Sequence, residues 1–121
     1  MHGLEWVFTV VLAVVLLLTG MTRVFRYEKA RDLFPWVKDL PRSLVQAIGI
    51  AEILGALGLI LPAVTGIYSW LTPVAAIGLA LLMFMAAVFH TTRREMADAA
   101  LNVMLLILLV FVAYVRWPLM P

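Results

Sequence analysis

One carboxyl group in this chain sits where an acid is least expected: Glu52, inside the run "GIAEILGALGLILP" from Gly49 to Pro62. A carboxyl in apolar surroundings can exchange a proton, pair with a cation or accept hydrogen bonds from a polar ligand. Few groups are placed to share that work. Gln46 stands six residues earlier on the same stretch, while Arg23, His90 and Asn102 stand at or near the ends of three other apolar stretches. An acid, an imidazole, two carboxamides and a guanidinium could together hold a small polar headgroup and move its protons.

Other chemistries are set aside by residue type. The chain has no cysteine, which excludes thiol redox chemistry, disulfide relays, thiolate-bound iron–sulfur clusters and cysteine-ligated zinc within this chain. Its histidines, His2 and His90, fall near opposite membrane faces, so bis-histidine haem ligation within one chain is not expected. There is no glycine-rich phosphate loop and no nucleophile elbow. The run "HTTRRE" is not a metal motif, and no metal is expected. The seven methionines read as packing, since a copper path would need them clustered more closely. No residue is assigned a catalytic role.

The elements that must position these groups follow from composition. Hydrophobic residues make up 65% of 121, charged ones 13%, and mean hydropathy is +1.09, far outside the range of soluble domains. Uncharged stretches run from Trp6 to Thr22 and from Ala99 to Val115. A third, apart from His90, runs from Ile53 to Thr92. A spanning helix needs about 20 apolar residues, so the third stretch must hold most of two. Pro62 and Pro73 mark the division, and Pro73 suits the first turn of a new helix, where its missing N–H has no helical partner.

The expected fold is therefore all-α, a four-transmembrane-helix bundle spanning about 4–22, 43–61, 72–91 and 97–116. It forms a single membrane domain with no room for a soluble catalytic module. The opening "MHGLEW" has no basic n-region, so the first span is expected to stay as a mature helix.

Arg23, Arg26, Lys29, Arg31, Lys38 and Arg42 lie between spans one and two, Arg93 and Arg94 between spans three and four, and Arg116 outside both loops. The positive-inside rule then places both loops in the cytoplasm and both termini on the non-cytoplasmic side. The expected setting is a bacterial inner (plasma) membrane. The net charge of +2 reflects this loop bias, and no nucleic acid is expected because no soluble domain presents a basic face. In the loop 23–42, "RVFRYEKARDLFPWVKDLPR", aromatic and aliphatic residues interleave with charges. Such a segment is expected to lie in the interface as an anchor, with a cap over the cytoplasmic end of the bundle as the alternative.

Glu52 follows Arg42 by ten residues, which at about 1.5 Å per residue puts it roughly 15 Å deep, near the midplane of a core about 30 Å thick. Even lenient insertion scales put an acid there about 2.5–3.5 kcal/mol uphill, so it must face inward. Small residues support this: Gly49 and Gly55 lie three positions either side, and Ala47, Ala51 and Gly55 form a row that would let another helix approach. Its expected companions, Gln46, Arg23, His90 and Asn102, all fall in the cytoplasmic half. Plainer roles exist for each. Glu52 could be a neutral hydrogen-bonded acid, Gln46 and Asn102 interhelical glue worth about 0.6 kcal/mol, His90 a helix-end residue, and Arg23 and Arg26 snorkelling anchors.

"LLLTGMTRVF", "IGIAEILGALGLILP", "LTPVAAIGLALLMFMAAVFHTTRRE" and "ALNVMLLILLVFVA" occur in that order and together cover nearly the whole chain. In this the sequence resembles the DoxX-like family of small four-helix membrane proteins. The most specific elements are Gly-x-x-Glu-x-x-Gly closed by Leu-Pro and the histidine ending helix three before an Arg/Glu stretch. That family takes its name from a subunit of a membrane thiosulfate:quinone oxidoreductase, and its relatives are linked to membrane oxidoreductase complexes or, in animals, to assembly of receptor channels. By this resemblance Glu52 matches the acid of the second helix, His90 the histidine after the third and Asn102 the polar residue early in the fourth. The family's glycine and lysine at the end of helix one become Gly20 and Arg23.

The resemblance implies a membrane subunit of a redox complex, with Glu52, Gln46, His90, Asn102 and Arg23 holding a quinone or similar small lipophile. Alternatives are an assembly module for another membrane protein, in which the polar core only fixes helix register, and proton-coupled transport of a small hydrophobic solute. The expected partners are the lipid bilayer and either further copies of the chain or a partner redox subunit that carries the electrons.

Overall fold

The computed structural model describes residues 2–119; the expectation about the His2 imidazole lies outside the described side chains. The described residues are helical with no strand. They form α1 (His2–Phe25), α2 (Tyr27–Leu33), a 3-10 turn (Pro35–Asp39), α3 (Arg42–Thr65), α4 (Leu71–Thr92), α5 (Met96–Val115) and a final 3-10 turn (Trp117–Leu119). The long helices α1, α3, α4 and α5 are each apolar and long enough to cross a membrane. The chain is a multi-pass integral membrane protein built as a four-helix bundle.

The helix ends follow local chemistry, with one departure from expectation. α3 does not stop before Pro62 but runs through it to Thr65. Proline removes the bond to the carbonyl four residues back, a loss tolerable when the helix has only one turn left to run. The actual stop is Gly66, whose φ of 74° is a left-handed conformation that glycine adopts without steric cost, and whose N–H reaches the Pro62 carbonyl at 3.0 Å. Pro73 lies in the first turn of α4, as expected.

Around the bundle α1 packs on α3, α3 on α4 and α4 on α5, while α1 and α5 close the ring along a looser seam. Leu12, Leu16, Leu59, Leu79, Met83, Leu109 and Val112 fill the centre. Phe8 and Phe111 meet edge to face at 5.7 Å across the α1–α5 seam. Residues such as Leu18, Leu54, Leu81 and Ile107 point outward. In water they would be a liability, but in lipid they are the proper surface, and packing and polar contacts must supply what holds the helices together.

Of the row Ala47, Ala51 and Gly55, the alanines face outward, while Gly55 makes the close approach, where a Cβ would run into the Leu79 side chain of α4. The inward row on α3 is Val45, Gly49, Glu52, Ala56 and Leu59. At a 3.6-residue repeat these positions fall on one stripe, and the alanines lie about a quarter-turn or more away from it.

Loop 23–42 departs from a plain surface anchor. Ala30, Trp36, Val37 and Val45 are buried, and Tyr27, Phe34, Leu40 and Phe89 pack on the Trp36 cluster. α2 and the 3-10 turn therefore cap one end of the bundle, while Phe25 and Leu33 remain exposed. Burying an indole and its aromatic neighbours removes more apolar surface than laying them flat in an interface, which is why the segment turns inward.

Candidate functional site

The site begins where two backbones touch. A Cβ placed on Gly20 would lie 2.6 Å from the Gly49 carbonyl oxygen, and one on Gly49 would lie 2.8 Å from the Gly20 carbonyl oxygen. α1 and α3 run antiparallel there, so Arg23 lies three residues to one side of the crossing and Glu52 three residues to the other. That leaves an axial gap of about 9 Å between them. Helical side chains tilt toward their own N-terminus, and in an antiparallel pair this makes Arg23 and Glu52 lean toward each other. Arg23 Nη1–H donates to Glu52 Oε2 at 2.6 Å. The Thr19 hydroxyl lies 3.1 Å from Glu52 Oε1 and 3.2 Å from the Leu16 carbonyl, and its single proton serves one of them at a time.

Arg23 therefore turns inward and is only 12% exposed, whereas Arg26 stays at the surface, as a snorkelling anchor would. The cap completes its surroundings: the guanidinium carbon lies 5.0 Å from the Trp36 ring centre and 5.4 Å from that of Phe34. Two aromatic faces and a carboxylate together stabilise a desolvated guanidinium. One donor is left over, because the buried Arg23 Nε–H has no hydrogen-bond partner among the described residues.

A cavity of about 360 Å³ opens beside this pair. Its walls come from α1, the cap, α3, α4 and α5, and are mainly Val, Leu, Ile, Met and Phe side chains. Arg23, Glu52, His90 and Asn102, four of the residues singled out from sequence, line it together with Thr19, Trp36 and Asp98. Gln46 does not join them, because its Nε2 amide donates to the Val24 carbonyl at 3.3 Å and ties α3 to α1. Asn102 forms no hydrogen bond among the described residues.

At the cavity's edge the α4–α5 turn gathers a second polar group. Arg94, at φ 61°, reverses the chain, and the Glu95 N–H bonds the His90 carbonyl at 2.8 Å. The buried His90 ring meets Trp36 edge to face at 5.5 Å, and its Nδ1 lies 2.9 Å from Glu95 Oε1. Arg93 Nε–H donates to the same oxygen at 3.0 Å, and the Arg93 guanidinium also bridges to Asp39 in the cap. The hydrogen bond with His90, and next that from Arg93, hold the Glu95 carboxyl below the usual carboxylate range.

The sequence pattern of the DoxX-like family matches residues 7–112 of this chain. The chain belongs to the DoxX-like family. Among curated proteins and solved structures none matches it. In this DoxX-like protein the match takes in both sides of the Gly20–Gly49 contact, Glu52, His90 and Asn102. Arg23 stands where the resemblance called for lysine, and its two aromatic contacts suit a flat guanidinium better than a compact ammonium.

Three cavity residues escaped the sequence reading. Thr19 looked like one more small residue of an apolar helix. Trp36 belongs to the loop expected in the interface, with a cap over the bundle as the alternative. Asp98 resembles an ordinary first-turn acid favoured by the helix dipole. Its position four residues before Asn102, on the same helical face, was the signal that could have found it.

Proposed function

We propose that the cavity binds a small lipophile carrying carbonyl acceptors, best matched by a quinone headgroup, and that the protein is the membrane subunit of a redox complex. The observation carrying this reading is the Asn102 carboxamide, which lines an apolar cavity with Arg23, Glu52 and His90 and forms no hydrogen bond among the described residues. A sheltered polar group without a partner costs about 1–3 kcal/mol, which a ligand carbonyl would recover. The volume of about 360 Å³ falls within the usual range for small-molecule sites. Apolar walls with a few convergent polar groups are the composition such a ligand requires.

Arg23 would orient the headgroup, held in place by Glu52 and by Trp36 and Phe34. The Asn102 carboxamide offers a second donor from α5. Glu52 keeps the guanidinium neutralised in a dry site, and the His90 imidazole is the wall group best suited to pass a proton toward the capped end. Bound there, a quinone supplies two-electron, two-proton chemistry, and the electrons come from a partner subunit because this chain has no cysteine to hold a cluster. The positive-inside rule sets the capped end in the cytoplasm.

The test is binding of short-chain ubiquinone and menaquinone analogues to the protein in lipid nanodiscs, read by Trp36 quenching and by native mass spectrometry. Saturable binding weakened at least about tenfold by both Glu52→Gln and Asn102→Leu supports the site, since that is the scale of one lost buried hydrogen bond. A bundle that binds neither analogue, yet co-purifies with the same membrane partner in wild type and Glu52→Gln, overturns it in favour of an assembly module.

A further inference from the structure

The α4–α5 turn carries a cluster of which the lipophile reading uses His90 alone. One ligand atom each from His90, Glu95 and Asp98 lies within 4.8 Å of the other two, and no two of these residues are adjacent in sequence. We propose that His90, Glu95 and Asp98 bind one divalent first-row transition ion, of the manganese-to-zinc type, at the edge of the cavity.

Spacing is the first support. Ligands about 2.1 Å from a common ion and at right angles to each other stand about 3.0 Å apart, and His90 Nδ1 and Glu95 Oε1 are 2.9 Å apart. Displacing the proton between them frees the imidazole lone pair and one on the carboxylate, and a small rotation of the two side chains turns both toward a shared ion. Asp98 is the second support: it lines the cavity and has no ion pair or hydrogen bond among the described residues. Its carboxylate is half-buried, so it is partly shielded from water and yet unengaged.

Charge is the third support. The ligand set itself carries two negative charges, from Glu95 and Asp98, and no fixed positive one, while Arg93 is shared between Glu95 and Asp39. A dication balances those two charges. Arg93 would then remain outside the ligand set, holding Glu95 in position as outer hydrogen-bond donors do in metal sites. Asn102, one turn beyond Asp98 and also on the cavity wall, offers a carbonyl oxygen from the same helical face.

One imidazole and two carboxylates suit borderline and hard divalent ions rather than copper(I). The mixed ligand set accounts for the failure of sequence spacing to announce the site. Its first two members fall in "HTTRRE", which alone lacks a third ligand, and the third arrives only when the Arg94 turn brings α5 back. Metal binding here does not depend on what occupies the cavity.

The experiment is equilibrium dialysis of the full-length protein in nanodiscs against ZnCl2 and, separately, MnCl2, with no added lipophile. Bound metal is counted per chain, and the manganese spectrum is read by electron paramagnetic resonance. One ion per chain, weakened at least about tenfold by Asp98→Asn and by Glu95→Gln but unchanged by Glu28→Gln on the exposed face of α2, is the expected result. His90→Gln should alter the manganese spectrum as well as the affinity. Absence of stoichiometric metal, or binding that Asp98→Asn and Glu95→Gln leave intact, overturns the proposal. The two acid variants lie outside the packed core, so folding does not obscure the result.

Discussion

Glu52 and Arg23 are costly to bury singly and tolerable together. Their side chains are 3% and 12% exposed, and their shortest contact is 2.6 Å. Removing one partner leaves an uncompensated buried charge, at a typical cost of about 3–5 kcal/mol, whereas replacing both with apolar residues is often neutral. Arg23→Met is therefore expected to lower stability in lipid by about that amount. Arg23→Met/Glu52→Leu should recover most of it while losing the polar wall of the cavity. Unfolding midpoints in mixed micelles check this, and a double variant as unstable as the single one would show that the pair does not act as a unit. At this scale the sequence marked the acid clearly, because a lone carboxylate in a long apolar run has few bland explanations. It left Arg23's direction open, since inward and snorkelling orientations use the same residue. The orientation was decided by an antiparallel crossing that no single helix displays.

The elements hold the pair through the Gly20–Gly49 contact, and here the fit is steric. Adding a methyl group to either glycine would drive it into the facing backbone carbonyl, at 2.6 or 2.8 Å. A backbone cannot rotate away as a side chain can, so the helices must separate. Gly49→Ala is expected to cost about 1–3 kcal/mol and to loosen the Arg23–Glu52 pair, reducing ligand affinity along with stability. Gly78 on α4 meets nothing within 4 Å, so Gly78→Ala should leave the midpoint within about 1 kcal/mol of wild type and serves as the control. Helix propensity favours alanine at both positions, so a Gly49→Ala variant as stable as Gly78→Ala would show that the crossing carries no steric cost. The four long helices were legible from their uncharged runs. The inward row on α3 was not, because Ala47 and Ala51 form with Gly55 a small-residue pattern as plausible as the row that packs, and of that pattern it is Gly55 that meets α4 closely, at Leu79. The cap was half legible: its aromatics were plain, but whether they face headgroups or the bundle depends on the cleft that His90, Phe89 and Arg23 leave for Trp36. Trp36→Ala should widen that end of the cavity and raise water access to Arg23, which faster exchange of the Arg23 guanidinium protons by NMR would report.

For the whole molecule, the charge distribution predicts a sidedness. Eight of the nine Lys and Arg residues fall at the capped end, including those of the loop 23–42 and the α4–α5 turn, and Arg116 lies at the other. Pairing withdraws some of them from bulk lipid, because Arg23 is bound to Glu52 and Arg93 to Glu95 and Asp39. Arg26, Lys29, Lys38 and Arg94 remain exposed at that end, which keeps the asymmetry that orients insertion. The capped end is thus expected in the cytoplasm, with the α3–α4 turn on the far side. The chain has no native cysteine, so single replacements report sidedness without background. Lys29→Cys should react with a membrane-impermeant maleimide only in inverted vesicles, and Ile67→Cys only in right-side-out cells. The reverse pattern would place Glu52's capped cavity on the outer face, and any proton taken up through His90 would then come from outside the cell. Labelling of both sites from both sides would mean mixed insertion, in which the loop charges do not set the topology.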